Sequence, residues 1–72
     1  MSAVVAIGEK HRVEGFVLAG VRVFPAEDPD EVRRVFADLD HDVGLIILTP
    51  AAASALEAEG VDRPRLLRAV LP

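Results

Sequence analysis

Apolar residues along this chain gather in short runs separated by glycine, proline and charge. Ala3–Ile7 is apolar throughout, Gly15–Gly20 holds Phe16, Val17, Leu18 and Ala19 between two glycines, and Val21–Phe24 resumes an apolar run broken by Arg22. A strand, a short helix and a second strand in close succession make a βαβ unit, which requires a parallel sheet. Gly20, at the junction, is expected to supply the left-handed residue that ends the helix.

The next element has the clearest start. Asp28-Pro29-Asp30-Glu31 places an acid at the N-cap, proline at the first helical position and a glutamate at the third, able to reach back to the cap. Behind it Val32, Val35, Phe36 and Leu39 form one apolar stripe at helical spacing, with Arg33, Arg34 and Asp38 outside it, and Asp40-His41-Asp42 closes the helix. Gly44–Leu48 is apolar at every position after its glycine, as expected of a central strand covered on both faces. Thr49-Pro50 caps a third helix over Ala51–Glu59, which can pack closely because its inner side is mostly alanine, and Gly60 would end it. The tail from Arg63 to Pro72 fits either a helix with Leu66, Leu67, Val70 and Leu71 on one face or a fourth strand, and the βα rhythm favours the strand. Right-handed crossovers then give a four-stranded parallel sheet in the order 2-1-3-4, a receiver- or flavodoxin-like three-layer α/β domain over residues 1–72. Both edge strands are candidate binding surfaces.

At 72 residues the chain buries only about 60% of the surface its unfolded form exposes, so partners would add to a marginal stability. It has no cysteine, which excludes a disulfide-stapled mini-protein. No signal-like or membrane-spanning run occurs, and the expectation is a soluble, cytoplasmic protein. The net charge of −4 conceals three blocks: +1 over residues 1–24, −8 over 25–62 and +3 over 63–72. The acidic centre argues against nucleic acid as a partner, because a phosphate-tracking surface needs clustered Lys and Arg. It reads first as solvated helix surface, and second as a docking surface for a basic protein.

Candidate chemistry is sparse. A phosphoacceptor site would need acids after the first strand and an Asp ending the third; only Glu9 fits, since the third strand ends in Thr49 and no lysine follows. Gly8-Glu9-Lys10 offers one glycine where a dinucleotide loop needs three, and no Walker-type sequence occurs. His11 and His41 stand far apart with no cysteine to complete a metal shell, and Ser54 sits in an alanine-rich helix without a neighbouring base. The Asp28, Asp30 and Glu31 carboxylates are explained by helix capping and the helix dipole. No catalytic, cofactor or metal site is therefore expected.

Three strings, in order, carry a family likeness: Val4-Val5-Ala6-Ile7-Gly8-Glu9, Val13-Glu14-Gly15-Phe16-Val17-Leu18-Ala19-Gly20-Val21, and Val43-Gly44-Leu45-Ile46-Ile47-Leu48-Thr49. Through them the chain resembles the F subunit of the V-type and archaeal A-type rotary ATPases, most specifically in the Gly-Phe-x-Leu-Ala-Gly of the second. The Arg63-Pro64 to Leu71-Pro72 segment also looks like the family's fourth strand. The resemblance implies a non-catalytic, cofactor-free component of the central stalk, cytoplasmic and peripheral to the membrane. Its globular part would dock on the coiled-coil axle, the D subunit, and help couple ATP turnover to ion transport. Family members continue past the last proline into a C-terminal helix that contributes to regulation, so what the resemblance implies for this span is docking by the globular part. Val17 stands where the family commonly has a basic or polar residue, and is expected to face the sheet. With β2 at an edge, Arg22, Phe24, Pro25, Glu27 and Asp28 are the expected partner-contact residues; Phe24 serves equally well as core. Two further classes are a stand-alone regulatory or scaffold module, and a small-molecule sensor using the crevice near Gly8, Glu9 and Thr49 at the carboxyl ends of the strands.

Overall fold

A computed structural model describes residues 3–59 and 66–72. The elements follow in the order β1 (Ala3–Gly8), α1 (Lys10–Val13), a 3₁₀ helix (Glu14–Ala19), β2 (Arg22–Pro25), α2 (Pro29–Ala37), β3 (Val43–Leu48), α3 (Pro50–Glu59) and β4 (Leu67–Val70). All four strands are parallel, in the order β2-β1-β3-β4. The strand reading of the tail and the predicted topology both hold. Arg63, Pro64, Arg65 and the Gly60 stop lie outside the described residues.

Local sequence explains each turn. Gly20 has φ +79°, the left-handed conformation that ends the 3₁₀ helix, and its N–H donates to the Val17 carbonyl at 3.1 Å. Asp28 caps α2 by accepting the Glu31 N–H at 2.9 Å. Glu31 reaches back one residue further than expected, accepting from the N–H of Glu27 at 3.3 Å rather than from the cap itself. The helix ends at Ala37, before Asp40-His41-Asp42. Leu39 lies beyond the helix yet stays buried, because the turn folds its side chain back into the same core. Pro50 opens α3, whose Ala52 N–H donates to Thr49 Oγ1 at 3.4 Å.

Strand register sorts the side chains onto two faces. Val5, Ile46 and Arg68 share one row, and Ile7, Leu48 and Val70 the next; both rows lie on the side of α2 and α3. On this face Val5, Ile7, Ile46 and Leu48 meet Val32 and Phe36 of α2 and Ala52, Ala55 and Leu56 of α3 in one continuous core. The opposite rows are Val4, Leu45 and Leu67, then Ala6, Ile47 and Ala69. Among the described residues, Ala6 and Val13 are the buried apolar side chains outside the main core. β3 is thus fully buried on one face and half-exposed at Leu45 and Ile47 on the other, unlike the doubly covered strand its unbroken apolar run predicts. Val17 does not face the sheet: it is 59% exposed, and Leu18 beside it is 95% exposed. A 3₁₀ turn of this length presents too narrow an inner side to bury more than Phe16, which is itself half-buried.

Candidate partner-docking edge

β2 is an edge strand, so the outer side of Arg22–Pro25 has no strand beside it. The five expected contact residues divide between its two ends. Arg22 and Phe24 line a cavity of about 150 Å³ between β2 and the C-terminal end of α2, together with Val5, Val35, Asp38, Leu39, Asp40 and Val43. Phe24 also packs against the main core: one part of the ring completes the core and another forms the cavity wall. Arg22 and Asp40 face each other across the rim at 3.8 Å, both well exposed, an ion pair worth at most about 1 kcal/mol. The apolar wall of the cavity, from Val5, Phe24, Val35, Leu39 and Val43, lies inside a rim of Arg22, Asp38 and Asp40.

Pro25, Glu27 and Asp28 belong to the other end of the strand. There the Lys10 N–H donates to Glu27 Oε2 at 3.0 Å, tying the start of α1 to the turn before α2. Asp28 is occupied by capping, and the Glu31 N–H it accepts holds its carboxyl below the usual carboxylate value. Glu27 and Asp28 stabilise turns, and none of the three residues joins the cavity. Val35, Asp38, Leu39 and Asp40 were not legible as site residues, because the sequence marks them only as helix stripe and helix end. Their convergence on β2 is a tertiary fact.

The crevice at the carboxyl ends of β1 and β3 is closed by two contacts. Thr49 is fully buried and its hydroxyl donates to Glu9 Oε1 at 2.6 Å. That bond holds the Glu9 carboxyl below its ordinary value. A Cβ on Gly8 would come within 2.2 Å of Thr49 Cγ2, so only glycine lets the two strand ends meet here. The remaining space, lined by Glu9, Ala26, Glu27, Asp28, Val32 and the start of α3, is about 50 Å³. A metabolite pocket is several times larger.

Among the described residues no helix is long and apolar enough to cross a membrane, and no group of three or more His, Cys, Asp or Glu side chains is placed to hold a metal ion. No curated protein gives a significant match to the sequence. Residues 4–72 match the family of the ATP synthase (F/14-kDa) subunit. That span takes in all four strands, the Gly8–Thr49 closure and the β2 edge, and the chain belongs to this family of rotary ATP synthase subunits.

Proposed function

We propose that this protein is a non-catalytic component of the central stalk of a V/A-type rotary ATPase, held through its β2 edge against the coiled-coil axle, the D subunit, and that it helps couple ATP turnover to ion transport. The observation that carries the reading is the family match over residues 4–72. Membership ties the chain to a membrane-associated complex, and the protein sits on its cytoplasmic periphery. The cavity beside Arg22 and Phe24 supports the β2 edge as the contact. An axle helix presents side chains at regular spacing, and one bulky apolar residue entering the cavity, flanked by a cation facing Asp38 and Asp40, would fix orientation and register together. Pro25, Glu27 and Asp28 extend the contact along the same edge.

Isothermal titration of the chain against the axle protein from the same organism tests this reading. Saturable one-to-one binding is expected, weakened about tenfold or more by Phe24→Ala, which removes the cavity wall. Absence of binding by a chain with a normal circular dichroism spectrum would overturn the docking assignment.

A further inference from the structure

The cavity between β2 and the C-terminal end of α2 differs in chemistry between its interior and its mouth. Phe24, Val35 and Leu39 make the interior apolar, and the charged lining residues are two carboxylates, Asp38 and Asp40, against one cation, Arg22. Adding the charged neighbours on the same elements, Arg34 in the last turn of α2 and Asp42 before β3, leaves the same excess of one negative charge with His41 counted as neutral. The cation at the mouth is loosely held. Arg22 and Asp40 lie 3.8 Å apart, longer than a hydrogen bond, with side chains 54% and 75% exposed. The Asp38 carboxylate takes no hydrogen bond or ion pair among the described residues. Asp38 is also the C-cap of α2, so the negative end of the helix dipole lies at the same mouth.

A purely apolar side chain entering this mouth strips water from Asp38 and Asp40 and returns no partner, a cost that offsets the gain from filling the interior. A compact cation without a stem leaves the interior empty. Arginine meets both demands, with an apolar stem for Phe24, Val35 and Leu39 and a planar fork of N–H donors that can engage carboxylates on two sides. A dry cavity of about 150 Å³ holds a molecule the size of benzene, which has about as many heavy atoms as an arginine side chain beyond Cβ. We propose that the cavity is a receptor for a single arginine of the docked partner, its guanidinium set between Asp38 and Asp40, with Arg22 yielding Asp40 to it. The site rests on the assignment of the β2 edge to the axle, and it joins in one residue the apolar group and the cation of that contact.

The test uses the whole chain and small probes: propylguanidinium, which is the arginine side chain from Cβ outward, its neutral isostere propylurea, and butylammonium, the lysine counterpart. Amide chemical-shift mapping is expected to show saturable shifts from propylguanidinium around Phe24, Val35 and Leu39, with a Kd in the millimolar range. Propylurea should bind about tenfold more weakly and butylammonium about threefold more weakly, because the first lacks the charge and the second the fork. Asp38→Asn and Asp40→Asn, both at exposed positions, should each weaken propylguanidinium binding about fivefold with an unchanged circular dichroism spectrum. Equal affinity for the probes, shifts confined to the acids at the start of α2, or no shifts at the cavity would each overturn the proposal. Titration against the axle protein separates this site from the docking assignment. Axle binding unaffected by Asp38→Asn and Asp40→Asn together would overturn the arginine and leave the β2 edge as the contact. Guanidinium binding at the cavity of a chain that ignores the axle would support the preference for arginine and overturn the axle as its source.

Discussion

The two faces of the sheet are built from the same four strands, yet one behaves as a core and the other as a surface. On the α2/α3 side, Val5, Ile7, Ile46 and Leu48 are sealed beneath two helices whose inner residues alternate bulky Phe36 and Leu56 with small Ala52 and Ala55. On the opposite side, tight packing is confined to two places: Ala6 with Val13 buried in the middle, and the Gly8–Thr49–Glu9 closure at the strand ends. The first face holds the chain folded; the second is largely free for contact. A small domain can afford this division only because its one complete face is close-packed, since the domain buries too little surface to waste any of it.

Adjacent residues of β3 offer the sharpest break in the comparison. Ile46 and Ile47 have the same side chain and the same strand but opposite faces. Ile46→Ala removes buried methyls and leaves a cavity beneath α2 and α3, at an expected cost of about 2–5 kcal/mol, enough to unfold much of a marginal domain. Ile47→Ala acts on a half-exposed side chain and should cost about 1 kcal/mol. Urea unfolding followed by circular dichroism measures both. Equal losses would mean that the second face is as well packed as the first.

Much of this arrangement was legible because its signals are local. The Asp28-Pro29 start of α2, the glycine that ends the 3₁₀ helix and the apolar run of β3 each report backbone geometry within a few residues. Strand order followed from the alternation of strands and helices together with crossover handedness. The difference between the faces was not legible, for a physical reason. Gly44–Leu48 reads as apolar whether or not a helix lies over Leu45 and Ile47, and nothing within β3 states how far α1 extends. The cavity beside β2 was hidden in the same way. Arg22 and Phe24 could be named from the edge position of β2, but the residues that complete the wall come from α2 and the turn after it, where Leu39 looks like one more turn of helix.

The thin layer on the second face depends on a backbone turn more than on packing, which a change at Gly20 exposes. No atom lies near the position of an added Cβ, so Gly20→Val acts through the backbone alone, by forcing a β-branched residue to φ +79°. The expected loss is about 1–2 kcal/mol, or roughly 5–15 °C in Tm for a domain of this size. Gly20→Asn should recover most of it, because asparagine tolerates the left-handed region. A Tm unchanged by valine would mean that the 3₁₀ segment contributes nothing to folding, leaving α1 as the helix that covers the second face among the described residues.

The smallest effect concerns the closure at the strand ends, where that second face makes its charged contact. The hydrogen bond from Thr49 favours the ionised form of Glu9 and holds its pKa below the ordinary value of 4.5. A carboxyl with a depressed folded-state pKa binds its proton more weakly in the native state than in the unfolded chain. Its stabilising contribution is therefore complete above the unfolded value and is lost as pH falls through the lower, folded value. Asp28, held down by the Glu31 N–H, titrates in the same direction, so the protein should lose stability progressively below about pH 4.5 through Glu9 and below about pH 3.8 through Asp28. Glu9→Gln keeps the shape of the contact and removes one of the two titrations. The variant should show a lower Tm at neutral pH and a shallower fall in acid, the two curves drawing together at the lowest pH. Parallel curves at every pH would mean that the Glu9–Thr49 bond does not join β1 to β3 in solution, leaving the close fit of Gly8 against Thr49 to hold the two strand ends by shape alone.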